Sequence, residues 1–530
     1  MYGLYMDDKF YITTAINYTN GSPHLGHAYE IIIADCIARY HRAMRRDVFF
    51  LTGSDEHGQK IEETATSQKL LPVELCDKYV LEFQKMNAKL SVSNNSYIRT
   101  TDPKHESMAK LLWKKVAASG DIYLGEYKGW YSKREERFLT ETEASAANYM
   151  DGSKPLTMTT EPSYFFRLSR YQTLLVEYIQ AHPDFIFPAE SRISILERLK
   201  EPLQDLSISR TSFSWGISIP QSFDGKGVSD PDHVMYVWFD ALANYLSGIE
   251  WPLGENSKFW PANVHLIGKD IVWFHAVIWP CILFSAGLDI PRQIVCHGMI
   301  NDPAGKKMSK SWGNVMDPME LLKNYPRDVI RYFLLRDGSF GSDFSFNVDI
   351  LRTRHDSELA ANVGNLAMRT FSMVDIYCGN QIPVEDVTSP LFSIEDLSNE
   401  IERKMVKFQI ESAIMLIFSK FSILNEWLTK EAPWLLKGQD AVTKRNRIVR
   451  TLLEGLYILS HFLEPFMPST ASRIFGMIRK SKTYIPRMVK LGEWKFLTPC
   501  TKLKLAENKP LFPRLERTRF DKKNKKDANW

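Results

Sequence analysis

Three consecutive stretches decide the fold of this chain: Phe10-Tyr11-Ile12-Thr13-Thr14-Ala15-Ile16, then Asn17-Tyr18-Thr19-Asn20-Gly21-Ser22-Pro23, then a run in which Tyr29, Ile32, Ile33, Cys36 and Tyr40 recur at helical spacing. The first reads as a strand, the second as a loop of turn-forming residues, the third as an amphipathic helix. Val48-Phe49-Phe50-Leu51-Thr52 follows as a second strand and runs into Gly53-Ser54-Asp55. Strand, helix and strand in that order predict a parallel sheet, whose ligands gather at the carboxyl ends of its strands.

Outward from this opening the pattern changes twice. From about 115 to 230, short aromatic runs alternate with polar turns such as Asp151-Gly152-Ser153, which predicts an inserted domain. Strand and helix alternation resumes at Val234-Met235-Tyr236-Val237-Trp238 and at Val264-His265-Leu266-Ile267. Beyond about 350 the chain reads as helical. One stripe is Ile414, Ile417, Phe418, Phe421 and Leu424, and another is Val449, Leu452, Leu453, Leu456 and Leu459. The simplest arrangement is a helix bundle packed through these stripes.

Composition agrees. At about 150 residues per domain, 530 residues hold three or four domains. A chain that is 44% hydrophobic and 25% charged is globular, which excludes a wholly disordered or fibrous protein. The net charge of +4 permits a polyanionic partner without requiring one. The six cysteines, at 36, 76, 281, 296, 378 and 500, form no CxxC pair, so the common zinc-finger spacings are absent and a reducing compartment is expected. Neither a signal nor a transit peptide is legible around Asp7 and Asp8, which makes the cytoplasm the expected location, with an organellar matrix as the alternative. Ile271 to Ile290 is nearly continuous apolar sequence, but it contains His275 and Pro280, and a buried helix is expected there, with no membrane span.

Two motifs carry chemistry. His24-Leu25-Gly26-His27 stands where the first loop meets the first helix, and residues three apart share a helical face. Both imidazoles can then face an anion at the helix N-terminus, where free N–H groups and the helix dipole already favour one. Gly26 would let a flat base approach the backbone. A pair of helix-capping histidines is the plainer alternative; zinc lacks a completing ligand. Lys307-Met308-Ser309-Lys310-Ser311 follows a turn from Asp302 to Gly305. Two ammonium groups on a mobile loop can close on a polyphosphate, although alone such a pentamer is more simply a solvated turn.

Together the motifs resemble those of class I aminoacyl-tRNA synthetases. Asn20-Gly21-Ser22-Pro23 before the first motif, Gly53-Ser54-Asp55-Glu56-His57-Gly58, Tyr236-Val237-Trp238-Phe239-Asp240-Ala241, Gly268-Lys269-Asp270-Ile271 and Glu431-Ala432-Pro433-Trp434 narrow the resemblance to the methionyl-tRNA synthetases. It runs from about Lys9 to about Lys509. It implies an α/β fold: a Rossmann-like parallel-sheet catalytic domain with an inserted connective domain, then an all-α helix-bundle anticodon-binding domain. The expected division is 1–114 and 231–300 for the catalytic halves and 115–230 for the insertion. Residues 301–350 would hold the lysine loop and stem-contact region, 351–509 the helical domain and 510–530 a basic tail. That tail, with Lys522, Lys523, Lys525 and Lys526, reads as a solvated end, or else as a weak RNA contact.

The resemblance also implies roles. The enzymes of this family join methionine to ATP, release pyrophosphate, and pass the methionyl group to the 3′ end of initiator and elongator tRNA. His24, Gly26 and His27 would meet the ATP phosphates, Lys307 and Lys310 the leaving pyrophosphate, and Gly268 and Asp270 the ribose; magnesium would arrive with ATP. The Ile16 backbone and Asp55 would hold the substrate ammonium. Trp238, Tyr245, His275 and Trp279 would wall the thioether, whose sulfur packs well on aromatic edges. Asn365, Arg369 and Trp434 match the positions that read the anticodon, where an aromatic plane with an amide and a guanidinium suits an unstacked base.

The chain departs from the pattern in Gly129-Trp130-Tyr131-Ser132-Lys133-Arg134-Glu135-Glu136. Ser132 and Glu135 stand there in place of a zinc-binding thiol pair, so no structural zinc and no protein-bound metal is expected. Asn17 replaces an aromatic or proline beside the substrate backbone. The extra dimerisation or tRNA-binding domain of longer relatives is not legible here, so a monomer is expected; no membrane association is expected either. Among rivals, the leucine, isoleucine and valine enzymes carry a far larger insertion, the cysteine enzyme needs zinc ligands that are absent here, and a small nucleotidyltransferase does not explain the helical region. A catalytically inactive tRNA-binding paralogue is opposed by intact His24, His27, Asp55, Lys307 and Lys310.

Overall fold

The computed structural model describes residues 8–132, 137–139, 141–151, 154–220, 230, 232–308, 314–504 and 510–515. Its centre is a seven-stranded parallel sheet. Across it run Ile186–Phe187, Ile294–His297, Val264–Gly268, Lys9–Thr14 and Asp47–Asp55, with Asn17–Tyr18 and Ser96–Arg99 both paired to Asp47–Asp55. The first strand is flanked by Val264–Gly268, with Thr13 beside His265, and by Asp47–Asp55, with Thr13 beside Leu51. Lys9–Thr14 reads KFYITT, β-branched and aromatic, and only its first residue is exposed, as expected of a central strand covered on both faces.

The helix Leu25–Ala43 connects the two strands of the opening. Its buried residues include Tyr29, Ile31, Ile32, Ile33, Cys36, Ile37 and Tyr40, which spread around most of its circumference, because it lies between the sheet and the helix Arg327–Asp337. Asp35 is also buried on it. Arg331, itself fully buried, meets its carboxylate at 2.7 Å and Arg39 at 2.8 Å, while the Ser93 N–H and hydroxyl donate to its other oxygen. Burial alone would raise this carboxyl; the two guanidinium groups outweigh it and hold the pKa below the usual range. Arg331 also donates to the carbonyls of Pro465 and Phe466, so the cluster fastens the first helix to the helical region.

The stretch from 115 to 230 supplies a four-stranded antiparallel sheet, in the order Leu206–Ser207, Thr157–Phe166, Ile122–Ser132, Arg137–Leu139. Within the same stretch, Ile186–Phe187 returns to the edge of the parallel sheet. Val234–Met235 does not join that sheet, as the sequence pattern had implied. It pairs antiparallel with Ser209–Arg210, and Val237–Leu242 is already helical. The two apolar stripes lie on the helices Ile410–Glu431 and Ala441–Leu463, which pack on each other and, with Asn365–Cys378, form the bundle. The apolar stretch 271–290 is broken into a π-helical turn, Phe274–Ile278, and a short buried helix, Trp279–Ser285. Pro280 accounts for the break, since it lacks the N–H that an α-helix would require there. Among the described residues no helix is long and apolar enough to cross a membrane.

Candidate active site

The first strand ends at Thr14, and the loop after it delivers His24 to the start of the first helix. His24 is the N-cap: its Nδ1 accepts from the Gly26 N–H at 3.1 Å, and its own N–H donates to His27 Nδ1 at 3.0 Å. The rings stack with centroids 3.7 Å apart. This is a capping box in which two imidazoles replace the usual hydroxyl and carboxylate. A ring nitrogen that accepts from a backbone N–H carries no proton, so each neutral ring keeps its proton on Nε2. Capping and anion binding therefore use opposite sides of the same ring and do not exclude each other. A Cβ on Gly26 would lie 2.9 Å from His24 Cε1, so the missing side chain there also makes room for the capping ring.

The lysine loop meets the same helix start. The Leu25 N–H donates to the Met316 carbonyl at 3.0 Å. Asp302 organises the turn before the lysines, accepting from Asn314 Nδ2 at 2.9 Å and from the N–H groups of Ala304 and Lys306. The Asn314 amide, followed by these N–H groups, holds its carboxyl below the usual range. Lys307 is exposed, and its carbonyl accepts from Asn314 Nδ2. Lys310 lies outside the described residues, as do positions 133–136 of the zinc-knuckle stretch and the tail beyond Leu515.

The aromatic residues converge beside these motifs. Tyr245 Oη lies 2.6 Å from His275 Nε2, and His275 Nδ1 lies 3.0 Å from the Ile271 carbonyl. A carbonyl only accepts, so Nδ1 carries the proton and the Tyr245 hydroxyl donates to Nε2. Burial pushes the His275 pKa down to about 4, which keeps the ring neutral at pH 7. The Tyr245 ring stacks on buried His265 at 4.0 Å and lies 6.0 Å from that of Trp279. Trp238 stacks on Phe274 at 3.7 Å and stands edge-on to His275. The indole N–H of fully buried Trp279 has no hydrogen-bond partner. Asp55 closes the Asp47–Asp55 strand, and its carbonyl accepts from Thr19 N–H and Oγ. Ile16 sits against the same strand: a Cβ on Gly53 would lie 3.0 Å from Ile16 Cγ2 and 2.1 Å from the Ile98 carbonyl oxygen, so the strands approach there as only glycine permits. Asp270 follows the end of Val264–Gly268 and is exposed, and a Cβ on Gly268 would come within 2.7 Å of its Oδ1.

Two groups at this sheet edge escaped the sequence reading. Glu30 Oε2 lies 3.0 Å from His297 Nε2. Burial raises the Glu30 carboxyl, and the pair raises His297 against the effect of its own burial. A carboxylate three residues after His27, just before the apolar run Ile31-Ile32-Ile33, was the available signal. Beneath the aromatic pocket, Asp240 accepts from His57 Nδ1 and from His105 Nε2, each at 2.7 Å, and His105 Nδ1 lies 2.9 Å from Ser247 Oγ. Burial would raise Asp240, but His57 and His105 outweigh it and take the pKa down to about 2. Asp240 and His57 both lie inside motifs that the resemblance used, but no periodicity joins them.

At the far end of the bundle, the Arg369 guanidinium lies 5.2 Å over the Trp434 ring. Trp434 is 45% exposed, so it is not a packed helix-end residue. Ala432, in the left-handed conformation at φ 39°, ends the helix Ile410–Glu431 and turns the chain toward buried Pro433. Asn365 is exposed one turn before Arg369 on the same helix.

A parallel sheet carrying a histidine-capped helix and a lysine loop at its carboxyl edge, with a helical bundle behind it, defines a class I aminoacyl-tRNA synthetase. The model of the family "tRNA synthetases class I (M)" matches residues 10–148 and 142–371. A methionine–tRNA ligase of Rhizobium meliloti is 41% identical over 517 residues, covering 95% of this chain and 98% of its own. One from Mycobacterium tuberculosis is 40% identical over 489 residues, covering 88% and 92%. The solved structure of Mycobacterium tuberculosis methionyl-tRNA synthetase in complex with methionyl-adenylate superposes with a TM-score of 0.88 at 38% identity, covering 96% of this chain and all of that one. The chain belongs to the methionyl-tRNA synthetase family.

Proposed function

We propose that the chain is a methionine–tRNA ligase. It joins L-methionine to ATP, giving methionyl-adenylate and pyrophosphate, and then esterifies the 3′ end of initiator and elongator tRNA, releasing AMP. The observation that carries this reading is the meeting, at one edge of the sheet, of the imidazole cap, the lysine loop and the aromatic pocket. In the first step the methionine carboxylate attacks the α-phosphorus in line and pyrophosphate leaves. Positioning and charge stabilisation dominate such a transfer. His24 and His27 offer Nε2–H donors to the phosphates, and Lys307 and Lys310 neutralise the leaving pyrophosphate. Asp270, beside Gly268, takes the ribose hydroxyls, and magnesium arrives as part of the ATP substrate.

Asp55 and the Ile16 carbonyl hold the substrate ammonium. Trp238, Tyr245, His275 and Trp279 wall its side chain. Because His275 is kept neutral and its two nitrogens are committed, the pocket presents no cation to the thioether. Asn365, Arg369 and Trp434 read the anticodon, with the indole as the stacking plane. The same reading has the enzyme act as a cytoplasmic monomer without structural zinc. Among the described residues no group of three or more His, Cys, Asp or Glu could hold a metal.

ATP–pyrophosphate exchange with each amino acid in turn, in the absence of tRNA, tests the activity. Exchange with methionine alone is expected. Binding of tRNA without exchange would assign the chain to the inactive paralogue.

A further inference from the structure

The first helix spans about 28 Å at 1.5 Å per residue, so its C-terminal end lies far from the imidazole cap, below the opposite edge of the sheet. Two adjoining hollows, of about 650 and 810 Å³, open there between this helix end and the segment from Pro468 to Tyr484. Eight arginine and lysine side chains line the pair of hollows against a single carboxylate, Glu464. That carboxylate is already held by Arg39 at 2.9 Å and by Lys482 at 3.3 Å. Arg39 also pairs with Asp35 at 2.8 Å and Arg46 with Glu402 at 3.6 Å, whereas three of the other cations meet neutral groups. Arg42 donates to Ser93 Oγ and Asn95 Oδ1, Arg327 donates to Ser91 Oγ, and Arg45 lies over the Tyr484 ring. Among the described residues, no carboxylate pairs with Arg42, Arg45, Arg327, Arg479 or Lys480. Ser469, Ser472 and Ser481 add hydroxyl groups to the wall. His461 supplies no charge at pH 7, since burial pushes its pKa down to about 4.

A chain whose whole net charge is +4 thus gathers an uncompensated excess in one concave place. Guanidinium, ammonium and hydroxyl donors converging on a hollow without available acceptors select an anion with many oxygens and several charges. We propose that this cleft is an anion site, separate from the catalytic pocket, for a small ligand carrying two or three linked phosphates. RNA is not the favoured occupant: the cleft lies across the sheet from the edge that a tRNA 3′ end must reach.

The test uses the full chain with its catalytic pocket filled by a non-hydrolysable methionyl-adenylate analogue, and titrates inorganic tripolyphosphate by calorimetry. One equivalent is expected to bind, more weakly as salt rises. The triple variant Arg42→Gln/Arg327→Gln/Lys480→Gln should weaken this by roughly threefold per cation, on the order of 30-fold in all. Its methionine-dependent exchange and its KM for tRNA should not change. Lys480→Gln alone, at a partly exposed position, gives the same direction of effect if the triple variant folds poorly. Repeating the titration with a nucleoside triphosphate asks whether Tyr484 adds stacking: tighter binding than tripolyphosphate assigns the phosphates to a nucleotide, equal binding to a free polyphosphate. No binding to the wild type, or equal binding to the variants, overturns the proposal. So does a parallel rise in the KM for tRNA, which would give the cleft to RNA. Exchange, measured separately, keeps these failures distinct from a failure of the methionine reading.

Discussion

His24→Asn separates the two uses of the imidazole at the helix start. In the structure the side chain of His24 caps the first turn, accepting from the Gly26 N–H at 3.1 Å; the reciprocal bond to His27 uses the His24 backbone N–H, which asparagine and alanine keep. Losing the side-chain cap costs about 1 kcal/mol, and asparagine, among the best N-caps, restores most of it. Asparagine has no donor where Nε2–H stands. If that donor meets the phosphates as charge develops, its loss costs about 3–4 kcal/mol of transition-state stabilisation, or on the order of 10²–10³ in rate. His24→Ala should therefore lower both the thermal midpoint and adenylate formation. His24→Asn should keep the midpoint near wild type while exchange falls by on the order of 10²–10³. Differential scanning fluorimetry and ATP–pyrophosphate exchange on the same preparations read the two quantities. Near-normal exchange in His24→Asn would refute the reasoning, because the imidazole would then be a cap and nothing more.

Trp434→Ala should leave exchange near normal and lower the kcat/KM for tRNA charging by roughly 5- to 150-fold, the worth of about 1–3 kcal/mol for one stacked base; equal loss in both reactions would contradict the division between sheet and bundle. Tyr245→Phe strands the buried Nε2 of His275 at about 1–3 kcal/mol, so the KM for methionine in exchange should rise while the KM for ATP holds. His461, with its pKa near 4, stays neutral in the fold as the unfolded chain takes up a proton below about 6.5. Its contribution to stability is therefore intact above pH 6.5 and is lost as pH falls toward 4, at about 1.4 kcal/mol per pH unit. His461→Gln should flatten the acid side of the thermal midpoint against pH, and an unchanged slope would count against it. Prolonged chelation followed by added magnesium should restore exchange in full; a requirement for added zinc would contradict the metal-free insertion.

The opening of the chain was legible because its signals are local. Phe10 to Ile16 overlaps the observed strand Lys9–Thr14 in five residues, and Tyr29, Ile32, Ile33, Cys36 and Tyr40 all lie on the observed helix. Register among distant strands was not legible. Nothing in Val264–Gly268 announces that it lies beside Lys9–Thr14, whereas Val234–Met235 carries the same apolar signature and pairs elsewhere. A short β-branched run specifies an extended conformation but not a partner, and the partner is set by tertiary packing. The aromatic cluster shows the same division. A buried helix was expected from Ile271 to Ile290, but ahead of Pro280 the turn that carries His275 has π geometry, and His275 reaches Tyr245 from there.

Where the reading of the site was incomplete, the cause was a residue serving the fold as well as a ligand. Gly26 was expected to clear space for a base, and its missing side chain also makes room for the ring of His24. Asp240 was passed over inside a recognised motif, and it turns out to hold His57 and His105, two histidines carried on separate segments of the chain. Both follow from one constraint. A carboxylate or an imidazole buried at the carboxyl edge of a parallel sheet must have its protons assigned by neighbours, because water is not there to do it. The neighbours that do so are supplied by chain folding and are invisible to spacing. Spacing can nominate the groups that touch a substrate. The Nδ1 cap on His24, the Tyr245 bond to His275 and the paired imidazoles on Asp240 decide which proton each of those groups carries when the substrate arrives.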